Sequence, residues 1–74
     1  MEKGGHVHII DALNDTEPGV RICAAGALGR IGAQAAEALP HLDALLRDNY
    51  PEVRSAAKQA RKAIKHAIKK ERGA

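Results

Sequence analysis

The residues best suited to a chemical role are lysines near the C-terminal end. Lys58, Lys62, Lys65 and Lys69 are spaced by four, three and four residues, which places them on one face of a helix. The basic residues that flank them are Arg61, Lys70 and Arg72. Such a stripe can bind a phosphate backbone or an acidic protein surface. Because Tyr50 is the sole aromatic residue and lysine outnumbers arginine in the stripe, binding to nucleic acid would be non-specific and salt-sensitive.

Other reactive side chains give weaker patterns. His6 and His8 are two residues apart, and the remaining histidines, His41 and His66, lie far along the chain, so the sequence predicts no metal site. Cys23 has no lysine, arginine or histidine three or four residues away, and we expect it to be a small core residue. The sequence contains no phosphate-binding glycine loop and no nucleophile motif. We therefore predict a protein that is not an enzyme and has no cofactor.

The composition indicates one small helical domain. The chain has 74 residues, 45% of them hydrophobic, with no Phe or Trp. Fifteen alanines, counted along the sequence, favour helix over sheet. A single cysteine and the lack of a long apolar segment favour a cytoplasmic location and no contact with membranes.

The charge is unevenly distributed. Residues 1–53 contain four Lys or Arg and eight Asp or Glu, whereas residues 54–74 contain eight and one. This asymmetry is typical of a basic end that binds an anionic partner, or of two ends that attract each other in neighbouring copies. A solvated terminal helix without a ligand explains it equally well.

The sequence repeats itself at an offset of 33 residues. At this offset Asp15 aligns with Asp48, and the other identities are Pro18 with Pro51, Val20 with Val53, Arg21 with Arg54, Ala24 with Ala57, Ala27 with Ala60 and Ile31 with Ile64. Repeats of this length are typical of stacked helical hairpins. We expect one domain over 1–74, with repeat 1 at about 5–32 and repeat 2 at about 33–70.

The residue pattern of each repeat predicts two helices joined by a turn. In repeat 1, a short helix precedes the turn, and a second helix begins at Pro18 and ends near Gly32. Its apolar stripe is expected to comprise Val20, Ala24, Ala27, Leu28 and Ile31. In repeat 2, a helix is expected to start at 33–36, with Pro40 near its start or at a bend, and a longer helix starts at Pro51. Gly26 and Gly29 both suggest close helix contacts.

These residues resemble the HEAT-repeat family, in particular its short bacterial and archaeal form of the phycobilisome-lyase type. The matching residues of repeat 1 are Asp15, Pro18, Val20, Arg21, Ala24, Ala27, Leu28, Gly29, Ile31 and Gly32. Those of repeat 2 are Ala36, Ala38, Leu39, Pro40, Leu42, Asp48, Pro51, Val53, Arg54, Ala57, Ala60 and Ile64. After Ala60 the family's Leu and Gly are replaced by Arg61 and Lys62, which we interpret as a solvent-facing terminal cap.

The resemblance implies an all-α fold in which two HEAT-like hairpins stack as a short right-handed αα-superhelix. It also implies a structural ladder of hydrogen bonds and ion pairs formed by Asp15, Arg21, Asp48 and Arg54. Some HEAT-repeat enzymes bind iron through His-Glu pairs, but this chain has no such dipeptide.

The function that the resemblance implies is protein–protein interaction or scaffolding, through a groove lined by the second helix of each repeat. The alternative is binding of nucleic acid or an acidic protein by Lys58, Arg61, Lys62, Lys65, Lys69 and Lys70. Two repeats are fewer than the roughly three that a stacked array needs, so self-association, a partner, or membership of a longer repeat protein is expected to cover the ends.

Overall fold

The computed structural model describes residues 7–73 and consists of helices joined by short turns. The elements are α1 (Val7–Ala12), α2 (Pro18–Ile31), a 3₁₀ segment (Gly32–Ala38), α3 (Leu39–Leu45) and α4 (Pro51–Gly73). Helix α1 packs on α2, and α4 packs on α2, α3 and the 3₁₀ segment. No strand occurs in residues 7–73. The predicted all-α fold is therefore confirmed.

The turns before α2 and α4 have the same local structure. Asp15 and Asp48 each use Oδ1 to accept the backbone N–H of the residue two positions later, at 2.8 and 3.0 Å. Each turn ends at a proline, Pro18 or Pro51, in the first turn of the following helix. Proline is favourable there because its missing N–H would have no helical partner. The predicted starts of both helices are confirmed.

Helix α2 ends at a glycine that turns the chain. Gly32 has φ of +79°, a conformation that side chains disfavour, and its N–H donates to the carbonyl oxygen of Leu28. The predicted end of the helix is therefore confirmed.

The helix expected to start at 33–36 is instead two elements. Residues 32–38 form the 3₁₀ segment, with a kink at Ala35, and α3 starts at Leu39. Pro40 explains the break, because it cannot donate the backbone hydrogen bond to Ala36 that a continuous α-helix requires. Of the two places proposed for Pro40, the structure shows the one at the start of a helix.

The core is a single layer of small and aliphatic side chains. Its fully or nearly buried members are Ile10, Leu13, Ala24, Ala25, Leu28, Ala35, Ala38, Leu42, Leu45, Val53, Ala57, Ala60 and Ile64. Among the described residues, no polar or charged side chain is in the buried class. Burial of these aliphatic groups drives the packing. No helix within residues 7–73 combines the length and the apolar character needed to cross a bilayer.

Only one of the two glycines predicted to make close contacts does so. A Cβ added to Gly29 would lie 3.2 Å from the Cα of Ala60 on α4, tighter than ordinary van der Waals contact. A Cβ added to Gly26 would have no neighbour within 4 Å. The prediction for Gly26 is wrong because Gly26 lies about 60° around the helix from Gly29, beside the closest approach to α4 and not at it.

Two residues predicted to face the core are on the surface. Cys23 is exposed, and Val20 is 38% exposed although its counterpart Val53 is fully buried. Both predictions are wrong for the same reason. Val20 and Cys23 lie on one face of α2. The corresponding face of α4 packs against α2, the second helix of the preceding pair, and among the described residues no pair precedes that of α2.

We expect Gly29→Leu and Gly26→Leu to change the free energy of unfolding in opposite directions. The leucine at position 29 must displace Ala60, which costs roughly 1–3 kcal/mol of unfolding free energy. The leucine at position 26 has open space and a better helix propensity than glycine, by up to about 1 kcal/mol. Urea unfolding followed by circular dichroism measures both. Equal destabilisation by the two variants would contradict the close approach at Gly29.

Candidate functional site

Arg21 connects the turn of its own helix pair to the turn of the next pair. One terminal nitrogen, Nη1, donates to the backbone oxygen of Asp15, and the other, Nη2, donates to Asp48 Oδ1 at 3.2 Å. The Nε atom lies 2.9 Å from Asp48 Oδ2 as an ion pair, but its N–H is not aimed at that oxygen. The two side chains are only 12% and 10% exposed, so water screens this pair less than a surface pair.

An aromatic ring completes this joint. The guanidinium carbon of Arg21 is 5.9 Å from the centre of the Tyr50 ring, within the range of a cation–π contact. Asp48 is thus held by the backbone N–H of Tyr50 and by Arg21. The Tyr50 N–H has the largest effect on the pKa of the Asp48 carboxyl and lowers it. Burial opposes this shift, and the hydrogen bond and charge of Arg21, with the charge of Arg54, lower the pKa further, so that it lies below its ordinary value.

The other two residues of the proposed ladder, Asp15 and Arg54, form no such side-chain pair within the described residues. Arg54 donates from Nη1 to the backbone oxygen of Asp48 at 2.7 Å, as Arg21 does to Asp15, but its side chain is exposed. The Asp15 carboxylate accepts the Glu17 N–H, and no cation from the described residues contacts it. Of the four residues proposed as a ladder, the structure therefore brings one carboxylate and one guanidinium together, those of Asp48 and Arg21.

The proposed anion-binding residues of α4 do not form one uniform group. Lys58, Lys62, Lys65 and Lys69 are exposed on one face of α4. Arg61 differs, because its Nε donates to the Asp43 carboxylate on α3. Lys70 is exposed about a quarter-turn from Lys69, at the edge of this face.

The lysine face of α4 corresponds to the packing face of α2. At the 33-residue offset, the counterparts of Lys58, Arg61, Lys62 and Lys65 are Ala25, Leu28, Gly29 and Gly32. Ala25 and Leu28 are fully buried, and Gly29 and Gly32 face Ala60 and Ala67 of α4. The resemblance to the family predicted this difference at positions 61 and 62, and the burial of Ala25 and the packing of Gly32 show that it also holds at positions 58 and 65.

Two of the shallow hollows along α4 also involve residues of another helix. One, of about 420 Å³, lies between α2 and α4 and is lined by Ile22, Gly26, Gly29, Arg30, Ala56, Gln59, Ala60 and Ala63. The other, of about 590 Å³, has Leu39 and Ile68 beside Lys65, Lys69 and Arg72. The first is the groove between second helices that the resemblance implies.

Residues suited to metal binding are scattered. His8, His41 and His66 are exposed on three different helices, and His6 lies outside the described residues. Within residues 7–73, no three His, Cys, Asp or Glu side chains converge in a way that could hold an ion.

Asp48 should make stability depend on acidity. Because its folded pKa is below the ordinary value of 3.8, its contribution is fully present above about pH 4 and is lost as the pH falls through the folded pKa. We expect Asp48→Asn to lower the urea midpoint at pH 7 and to flatten its decline below pH 4. Asp11→Asn, at an exposed position on α1, is the matched control. A decline as steep in Asp48→Asn as in the wild type would contradict this assignment.

The coupling at Asp48 should depend on which arginine is removed. A double-mutant cycle of Arg21→Gln with Asp48→Asn should show a clear interaction, because these side chains bond directly. The cycle of Arg54→Gln with Asp48→Asn should show a smaller one, because Arg54 bonds to the backbone of Asp48. Equal coupling in the two cycles would show that the geometry is not what sets the interaction.

Comparison with known proteins agrees with this architecture. The profile of the HEAT-repeat family matches residues 8–62, which include both turns, α2, α3 and the first half of α4. Comparison with curated proteins and with solved structures gives no significant match. The paired helices, the repeated Asp-Pro turn and the family match lead to one conclusion: this chain belongs to the HEAT-repeat family.

Proposed function

We propose that this chain is a non-catalytic protein-interaction or scaffold module that binds its partner in the groove between α2 and α4. HEAT repeats generally mediate protein–protein interactions. The observation that supports this site is Gly26, a helical glycine that lines the groove and at which an added Cβ would meet nothing within 4 Å. Packing within the chain gives no reason for a glycine there, whereas a closely approaching partner does.

The composition of the groove suits a helix or an extended segment of a partner. Its floor consists of glycine and alanine, which let another backbone approach closely. Ile22 provides an apolar contact on one side, and Arg30 and Gln59 provide hydrogen-bonding groups at the edges. A small apolar centre with a polar rim is typical of protein interfaces.

Gly26→Leu tests this site because it fills the groove while leaving the fold intact. The control is Gly19→Leu, since Gly19 also has open space but does not line the groove. Proteins captured from a cell extract by the wild type and by Gly19→Leu should be lost with Gly26→Leu. Capture of the same proteins by all three chains would refute the groove as the binding site.

Self-association is a narrower form of the same proposal, in which the partner is another copy. Light scattering coupled to size exclusion tests it at low and high salt. A mass of twice 7.9 kDa at both salt concentrations would support apolar pairing, and pairing at low salt alone would support attraction between the oppositely charged ends. A mass of 7.9 kDa under both conditions would exclude self-association.

The lysine face of α4 supports a second candidate function, salt-sensitive binding of nucleic acid or of an acidic protein. Lys58, Lys62, Lys65 and Lys69 are exposed together, and Leu39 and Ile68 form an apolar hollow beside two of them. Lysines dispersed along a helix match an anionic surface without reading a sequence.

A salt titration with a labelled duplex, a labelled single strand and a poly-glutamate peptide tests the second function. We expect affinity at low salt, with log K falling by roughly 0.7–0.9 per phosphate contact for each tenfold rise in salt. Lys62→Glu with Lys65→Glu should abolish it. Arg30→Glu with Arg47→Glu, at exposed positions off α4, is the charge-matched control. Equal losses in the two variants would assign the binding to net charge alone.

A further inference from the structure

The hollow of about 590 Å³ between the C-terminal half of α4 and the start of α3 combines two kinds of lining. Its apolar residues are Leu39 and Ile68, which pack against the core yet remain only partly buried. The other lining residues are all cationic, namely Lys65, Lys69 and Arg72. The hollow therefore offers burial to an apolar group and attraction to anionic groups beside it.

The cations flank the apolar residue of α4 along the helix axis. Lys65 is three residues before Ile68 and Arg72 is four residues after it, so each lies about one turn away on the same side of α4. The rise of the helix places these two residues about 10 Å apart along the axis. A ligand that makes all three contacts needs two anionic groups at about this separation, with an apolar group between them.

Interactions within the chain account for only part of this arrangement. The helix dipole favours cations in the last turn of a helix, and Lys70 and Arg72 are in the last turn of α4. Lys65 and Lys69 precede that turn. Within residues 7–73, no acidic side chain forms a salt bridge with either of these lysines. An anionic ligand accounts for the cations that the dipole and the salt bridges leave unexplained.

We propose that this hollow is the docking site for an acidic amphipathic helix of a partner protein. One leucine-sized side chain of that helix enters between Leu39 and Ile68, and acidic residues one turn to either side of it bind Lys65 and Arg72. A helix supplies this spacing because residues three and four apart share one side. The inference rests on the second proposed function, anion binding by the lysine face, and identifies the class of ligand.

Nucleic acid matches the charges of the hollow but not its apolar lining. A phosphate backbone presents no aliphatic side chain, and stacking of bases needs an aromatic residue. Tyr50, the sole aromatic residue, precedes α4, whereas the hollow lies at its other end.

A lipid bilayer matches the hollow no better. Insertion into lipid needs apolar side chains that protrude, whereas Leu39 and Ile68 line a concave surface. A protein helix supplies both a protruding apolar side chain and fixed anionic groups.

Two synthetic alanine-rich helical peptides test the proposal. The leucine peptide has one central leucine, with glutamates three and four residues to either side of it, and the alanine peptide has alanine in place of that leucine. By fluorescence anisotropy at low salt, we expect the leucine peptide to bind roughly tenfold more tightly, because its leucine leaves water. Poly-glutamate, a labelled DNA duplex and phosphatidylserine vesicles are measured at the same salt, and each should bind less tightly than the leucine peptide.

Two pairs of charge reversals on α4 locate the binding. Lys65→Glu with Lys69→Glu should lower the affinity for the leucine peptide by about tenfold or more. Lys58→Glu with Lys62→Glu is the matched control, because it makes the same charge change on the same helix outside the hollow, and it should lower the affinity only about two- to threefold. All four lysines are exposed, so both variants should fold, which circular dichroism checks.

One further variant tests the apolar contact. Ile68→Gln should remove the difference in affinity between the leucine and alanine peptides and leave the affinity for the alanine peptide unchanged. The comparison of the two peptides on the unmodified chain gives the same information without any change to the protein.

The outcomes separate this inference from the function on which it rests. Equal affinities for the leucine and alanine peptides, or equal losses in the two charge-reversed variants, would overturn the hollow as the site and leave anion binding by the lysine face intact. Tighter binding of the duplex or of the vesicles than of the leucine peptide would overturn the choice of a protein helix. Failure of every probe to bind at low salt would overturn both proposals.

Discussion

The close approach of α2 and α4 at Gly29 sets the dimensions of the whole structure. The absence of a side chain at this position lets the backbone of α2 lie against Ala60. At this separation, alanine, valine and leucine side chains suffice to fill the core, and no Phe or Trp is needed. The same separation leaves the shallow groove on one side of the two helices and brings Arg21 within reach of Asp48 on the other.

The contact between Arg21 and Asp48 fixes how the two helix pairs are placed relative to each other. Aliphatic contacts tolerate small shifts of one helix along another. The Arg21 guanidinium does not, because it binds the backbone of its own turn and also the Asp48 carboxylate of the next turn. It therefore fixes the register of the two helix pairs. Charge-assisted hydrogen bonds of this kind stabilise the fold, and they also specify one arrangement among several that bury similar area. Because the side chains of Arg21 and Asp48 are largely buried, water competes little for these hydrogen bonds.

Local signals in the sequence predicted most of the fold. Pro18, Pro51 and Gly32 mark helix ends by backbone chemistry that does not depend on distant residues, and all three are where the sequence indicates. Burial at the first helix pair was not predictable in the same way. Cys23 and Val20 continue the apolar pattern of the repeat, yet their exposure depends on whether another helix pair is adjacent. The partner of Arg61, Asp43, is 18 residues away, and no spacing rule selects it. The family could be identified from the sequence because its motif contains the residues that form the turns. The candidate binding surfaces lie largely at positions that the motif does not specify, so the motif did not identify them.

The lysine face of α4 has a consequence for how proteins of this kind change length in evolution. Four residues, at positions 58, 61, 62 and 65, distinguish it from the buried face of α2, while the Asp-Pro turn and the start of the helix that follows are the same at the 33-residue offset. A few substitutions to lysine and arginine therefore change a face that packs against the next helix into one that is solvated, and the reverse substitutions would restore the packing face. The number of units in such a protein is accessible to selection through point mutation, without any new fold.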